Sequence, residues 1–177
     1  IYLATEEQIA LFPDHRSIFL DPALKREFKV KEDQNIKLVT LTPEKAVTAL
    51  QKHSRSTDRD WVRKVLRYLA NNKQLNFRNS ELLESVRKTP LIPDRFWKLH
   101  AAHSLTTPLL WRTDTDRRLL TALNNLGVPL VPEDEELHGT LVTLRQHHSN
   151  LIYELTAADL IDTLEEIQPA WRQQEAD

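Results

Sequence analysis

The sequence predicts an α+β fold dominated by helices, with six or seven short amphipathic helices and a few short strands. Two observations lead to this class. Pairs of adjacent apolar residues followed by a third apolar residue one turn later recur along the chain, which is the spacing of a one-sided helix. Between them lie brief apolar or β-branched stretches, bounded by Pro, Asn or Asp, that are too short for helices. We expect the two kinds of element to close around a shared core.

Helix starts are marked by capping side chains, with Pro tolerated at the first helical position. In chain order, the predicted starts are Thr5 with Gln8, Asp21-Pro22, Thr42-Pro43, Asp58, Asp114 or Thr115, and Thr156 with Asp159. The apolar stripes are Ala46–Leu50, Trp61–Leu69, Leu82–Val86, Leu119–Leu126 and Leu160–Ile167. The acidic run Glu133–Glu136 predicts a further short helix that ends at Gly139, and Gly127 is expected to terminate the helix before it.

Five stretches are predicted to be strands. They are Ile36–Leu41, Leu91–Ile92, Arg95–Leu99, Val128–Val131 and Asn150–Leu155. On this interpretation Trp61 belongs to a core stripe, and Trp97 is half-buried on a strand.

Length and composition predict one domain over residues 1–177, with any seam between halves falling within 88–115, the least helical region. The chain begins with Ile1 and contains no Met, which favours a segment of a longer polypeptide. A net charge of -2 excludes a generally basic polyanion binder, and no apolar run is long enough to predict a membrane partner. The absence of Cys excludes thiol chemistry and favours a cytoplasmic location.

Candidate catalytic and metal-binding groups are weak. Two glycines, Gly127 and Gly139, cannot form a glycine-rich phosphate loop. Among seven histidines only His100 with His103, and His147 with His148, lie close in sequence, and a zinc site needs three or four converging ligands. We therefore predict no catalytic residue, no metal site and no cofactor. The acidic pairs Asp58 with Asp60 and Asp114 with Asp116 are interpreted as helix N-termini, and Pro13-Asp14-His15 is interpreted as a turn.

One helix carries a candidate binding surface. From Asp58 to Leu69 the apolar residues fill one arc, while Arg59, Arg63 and Arg67 form a ridge on the far side with Lys64 nearby. We call these four residues the basic ridge. It could dock an acidic partner or a phosphate backbone, or it could be a solvated face, since no aromatic residue interleaves the arginines in the sequence pattern.

Thr89-Pro90-Leu91-Ile92-Pro93-Asp94 resembles a motif that recurs after the ATPase domains of very large sacsin-like proteins. Leu126–Val131 and Ile152–Leu164 are similar, in order and spacing, to the segments on the C-terminal side of that motif in such proteins. Here Thr89 stands where leucine is usual, and Arg95 follows Asp94 where an Asp-Gly turn is expected. The resemblance covers about half of the chain, from Leu82 to Ile167, and implies a non-catalytic α+β segment beside a GHKL-type ATPase domain.

These observations predict a non-catalytic interaction or coupling module of a large chaperone-like or ATPase-containing protein. Its partner would be another protein or a neighbouring domain of the same chain. The first alternative is a nucleic-acid or anionic-partner module that uses the basic ridge. The second is a small hydrolase or metal enzyme that uses His147 and His148, or Asp14 and His15.

Overall fold

The computed structural model describes residues 1–21, 24, 39–50, 58–72, 75, 80–102, 107–111, 115–149, 151–156, 158 and 161. Its elements, in chain order, are β1 (Tyr2–Leu3), α1 (Glu6–Ala10), a 3-10 helix (Pro13–Ile18), β2 (Val39–Thr40), α2 (Pro43–Leu50), α3 (Arg59–Asn71), α4 (Ser80–Lys88), β3 (Pro90–Pro93), β4 (Leu99–Ala101), α5 (Arg117–Asn125) and α6 (Glu135–His147). Two small sheets, β1 parallel to β2 and β3 antiparallel to β4, accompany the helices. The predicted helix-dominant α+β class is confirmed.

Helix α1 begins at the predicted capping box. Gln8 N donates to Thr5 Oγ1 at 3.2 Å, and Thr5 N donates to Gln8 Oε1 at 3.0 Å. The amide of Gln8 also reaches into the core, where its Nε2 donates to Leu41 O and to Tyr68 Oη, each at 3.0 Å. One buried side chain thus caps α1 and joins it to α3 and to Leu41, the residue that follows β2.

The main core lies where α3 packs against α6 and α1. Trp61 is buried on α3, as predicted, and its indole Nε1 donates to Leu11 O at 2.9 Å. Because the indole N–H has a partner, the large ring is buried without an unsatisfied donor. The fully buried side chains of this interface include Val65, Leu66, Leu69, Leu137, Leu141 and Leu144.

The prediction of a short helix ending at Gly139 is wrong, because α6 continues to His147. Leu137, Leu141 and Leu144 form an apolar stripe that is buried against α3, and the burial of this stripe outweighs the roughly 1 kcal/mol that glycine costs inside a helix. Gly139 itself is exposed, and a Cβ there would meet no atom within 4 Å.

The prediction of a strand over Arg95–Leu99 is wrong, because the chain turns there between β3 and β4. The chain turns at Asp94–Trp97, where Trp97 N donates to Asp94 O at 2.8 Å, and β4 begins only at Leu99. Trp97 has φ 64°, which is incompatible with an extended strand. It is half-buried, as predicted, but in the turn.

Helix α5 begins one or two residues later than predicted, because Asp116 is the N-cap and accepts a hydrogen bond from Arg118 N at 2.7 Å. Gly127 follows the helix with φ +81°, as expected for a helix terminator. The predicted strand Val128–Val131 is reduced to one bridge between Leu130 and Leu109. The stretch Asn150–Leu155 likewise shows one bridge, between Glu154 and Leu110.

A few predicted features have other outcomes. Pro13-Asp14-His15 starts a 3-10 helix rather than a simple turn. Several predicted positions lie outside the described residues: Pro22, residues 36–38, His103, Asp114, Asp159, and the Leu160–Ile167 stripe apart from Ile161. Any seam between halves was predicted within residues 88–115. Buried residues before, within and after this region share the main core.

Among the helices that the structure describes, none has the length and apolarity required to cross a membrane.

We expect Gln8→Ala to lower the free energy of unfolding by about 1–3 kcal/mol, because Leu41 O and Tyr68 Oη would lose a buried donor. Urea denaturation would measure the loss. Gln146→Ala, on an exposed position of α6, is the control and should change stability by less than about 0.5 kcal/mol. Equal effects of the two substitutions would contradict the bridging role of Gln8.

Candidate partner-binding site on helix α3

The basic ridge is created by the capping and amphipathicity of α3. Asp58 caps the helix, with its Oδ1 accepting from Asp60 N at 3.0 Å and from Trp61 N at 3.1 Å. Burial of the apolar arc against the core then sets the rotation of the helix. The arginines are left on the opposite arc, where Arg59 and Arg67 are exposed and Arg63 is half-buried.

Two ridge arginines face the acidic first turn of α6. Arg63 Nη2 lies 2.6 Å from Asp134 Oδ2, and its Nη1 lies 3.0 Å from Asp60 Oδ1. Arg67 forms an ion pair with Glu136. Asp134 is also the N-cap of α6, where its Oδ1 accepts from Leu137 N at 2.9 Å. Arg63 and Arg67 therefore fasten α3 to α6 by charge, beside the apolar contact that the two helices share.

The Arg63–Asp134 pair shifts both partners toward their charged forms. Burial alone would raise the pKa of Asp134, but hydrogen bonds from Arg63 and Leu137 N and the Arg63 charge hold that pKa below its ordinary value. The pKa of Arg63 is raised, chiefly by the same hydrogen bond. Both side chains are less than one-third exposed, 27 % for Arg63 and 23 % for Asp134, so water screens this pair less than a fully exposed one.

An aromatic ring does interleave the ridge, which corrects the expectation from the sequence. The guanidinium of Arg59 lies 5.0 Å from the ring centroid of Trp97, and that of Arg63 lies 4.7 Å from it. Such distances are typical of cation–π contacts. Trp97 comes from the β3–β4 turn and packs on the main core, so the turn, α3 and α6 meet at Arg63.

Lys64 does not join the three arginines. It is exposed and lines a separate surface cavity of about 690 Å³ between α1, the 3-10 helix and α3. Arg16 contributes a second cation there, while Glu6 and Asp21 contribute carboxylates. The four predicted residues thus divide into Arg59 and Arg63 at Trp97, Arg67 at Glu136, and Lys64 at the cavity.

Three of the described histidines donate hydrogen bonds to other groups of the fold. His100 Nε2 donates to Asp94 Oδ2 at 2.9 Å, His138 Nε2 to Trp111 O at 2.7 Å, and His147 Nδ1 to Ala70 O at 2.8 Å. His148 lies beside His147, and burial followed by the charge of its neighbour lowers its pKa. Asp14 and His15 lie in the 3-10 helix. Among the residues that the structure describes, no three His, Cys, Asp or Glu side chains cluster as metal ligands.

Sequence reasoning missed the partners of the ridge. Glu133–Glu136 was visible as an acidic run and the segment around α3 as a basic one, so charge complementarity could have paired them. No sequence signal predicted that Trp97 would lie between Arg59 and Arg63, because this contact depends on how the β3–β4 turn packs.

No protein-family model matches the chain, and neither a curated protein nor a solved structure matches it. The resemblance to sacsin-like proteins therefore stays a prediction.

We expect Asp134→Asn to lower the free energy of unfolding at pH 7 by about 1 kcal/mol, because asparagine can still cap α6 but cannot pair with the Arg63 charge. The Asp134 pKa is depressed by folding, so its contribution is present above the unfolded value near pH 4 and is lost as the pH falls through the lower folded value. Urea unfolding of both proteins should show the difference shrinking on acidification below about pH 4. Glu135→Gln, an exposed first-turn residue, is the matched control, and an equal loss there would contradict the pairing.

Folding lowers the pKa of His148, so the folded state resists its protonation. Stability should be greatest above the unfolded value near pH 6.5 and should fall as the pH is lowered from there toward the folded value. In His148→Gln the pH dependence of unfolding between about pH 7 and pH 5 should be shallower than in the original chain. An unchanged slope, measured by denaturant titration, would refute this origin of the dependence.

Proposed function

We propose that this chain is a non-catalytic interaction or coupling module of a larger chaperone-like or ATPase-containing protein in the cytoplasm. The observation that carries the proposal is that charged and ionisable side chains form hydrogen bonds and ion pairs between elements of the fold. Asp94 with His100, His138 with the carbonyl of Trp111, and the Arg63–Asp134 pair hold one element against another. Groups fixed in this way support a rigid scaffold with a binding surface. The larger parent protein rests on the sequence resemblance alone.

Within the basic ridge, Arg63 and Arg67 are better suited to internal fastening than to a phosphate backbone. A polyanion would have to displace Asp134 from Arg63 and Glu136 from Arg67. It would also run past Glu133 and Glu135, which are exposed at the start of α6. The carboxylates of these two glutamates would repel the phosphates. A protein or a neighbouring domain is therefore the partner class that we favour.

We expect the purified chain to release no phosphate from Mg-ATP above the buffer rate and to give no stoichiometric heat when titrated with it. Replacing His138, which is 6 % exposed, by Phe should instead lower the melting temperature by several degrees, because Trp111 O would lose its donor. Calorimetry and a phosphate-release assay provide the readouts. ATP turnover that disappears in a histidine variant of unchanged melting temperature would overturn the proposal.

A further inference from the structure

The β3–β4 turn presents an unusually exposed aromatic ring. Phe96 is 72 % exposed, the largest exposed fraction among the large apolar side chains that the structure describes as exposed. The guanidinium of Arg95 lies 4.4 Å from the centroid of this ring and covers part of it. The ring therefore stands on the surface, while its neighbour Trp97 turns inward to the core.

The turn is held in one conformation by contacts at both of its ends. Asp94 Oδ1 accepts from Phe96 N at 2.8 Å and from Lys98 N at 3.0 Å, and Asp94 Oδ2 accepts from His100. Asp94 N donates to Lys98 O at 2.9 Å, which closes a three-residue loop. The last residue of such a loop is usually a left-handed glycine, but here Trp97 takes that place at φ 64°.

A left-handed tryptophan is strained, and strain that persists is a reason to look for a function. The side chain of Trp97 lies under Arg59 and Arg63 and packs on the main core, which ties the turn to α3. A glycine would relieve the strain but would leave the loop without this anchor. The arrangement fixes the backbone at Phe96 before any partner binds, which reduces the entropy lost on binding.

Three cations lie in or beside the turn: Arg95 and Lys98 flank the Phe96-Trp97 pair in sequence, and Arg59 contacts the Trp97 ring. Arg59, Arg95 and Lys98 are exposed, and none of the three has an ion pair with a carboxylate in the described part of the chain. The carboxylate nearest in sequence, Asp94, is directed into the turn and is 14 % exposed. We call Phe96, Arg95, Lys98 and Arg59 the turn patch.

The geometry points to the turn patch as a docking site for an acidic polypeptide segment that carries aliphatic side chains. The aliphatic groups would cover the Phe96 ring, and the carboxylates would pair with the three cations. This inference rests on the proposed function and names the partner chemistry of its interaction surface. A small patch of this kind is suited to a weak, reversible complex.

Single-stranded nucleic acid also combines negative charge with stacking groups, but it fits the patch less well. Trp97 is covered by two guanidinium groups, so among the turn residues only Phe96 has a ring that a base could reach. Arg63 contacts both Trp97 in the turn and Asp134 at the start of α6. The acidic run there would therefore repel a continuous phosphate backbone that passed along the turn. A polypeptide can place its carboxylates only where the cations stand.

The test uses the whole chain and a fluorescein-labelled peptide of about twelve residues in which Asp or Glu alternates with Leu. Fluorescence anisotropy should give a Kd of tens to hundreds of micromolar that weakens as salt is added. Phe96→Ala should weaken binding by about tenfold, and so should the double substitution Arg95→Glu with Lys98→Glu. Tyr153→Ala, which removes an exposed aromatic ring elsewhere, should leave the Kd unchanged.

Two further probes decide the chemistry of the partner. The same peptide with Lys in place of every acidic residue should not bind, and oligothymidylate should bind more weakly than the acidic peptide. The proposal is overturned if the acidic peptide fails to bind at about 1 mM, if Phe96→Ala binds as well as the original chain, or if either control probe binds more tightly. Unchanged melting temperatures of the variants would show that lost binding is not lost folding.

Failure of this inference is distinguishable from failure of the proposed function. A chain that neither binds the acidic peptide nor hydrolyses ATP would remove the turn patch and leave the non-catalytic module in place. ATP turnover that disappears in a histidine variant of unchanged melting temperature would overturn the module, whatever the peptide does.

Discussion

Burial of one face of α3 is the constraint on which the rest of the structure depends. Trp61, Leu66 and Leu69 are almost completely buried, and α6 packs along this helix with its own apolar stripe in the same core. Removing this much apolar surface from water is the largest favourable contribution available to a chain of this size. Burial of that face sets the rotation of α3 about its axis, and this rotation determines where its other side chains point.

The charged side of α3 follows from this rotation. Because α6 packs along the helix, its acidic N-terminus arrives beside Arg63 and Arg67. Asp134 then has two roles, as the cap of α6 and as the partner of Arg63. The same two helices are therefore joined by an apolar contact and by ion pairs along its edge. The apolar contact contributes most of the free energy, whereas the ion pairs favour this register over a slipped one.

The β3–β4 turn shows a local preference overruled by tertiary contacts. Left-handed backbone costs a residue other than glycine roughly 1–2 kcal/mol. Trp97 adopts it because its ring packs on the core and lies against two guanidinium groups. These contacts offset the local strain and place the turn next to α3. The neighbouring Phe96 is left at the surface as a consequence.

Local spacing was enough to predict the helix-dominant class, the capping box of Thr5 and Gln8, the cap at Asp58 and the termination at Gly127, because each depends on residues within about one helical turn of one another. It also placed Arg59, Arg63 and Arg67 on one face. It could not show what would meet that face. The continuation of α6 past Gly139, the pairing of Arg63 with Asp134 and the position of Trp97 depend on contacts between residues distant in sequence, and only the packed tertiary structure brings those residues together.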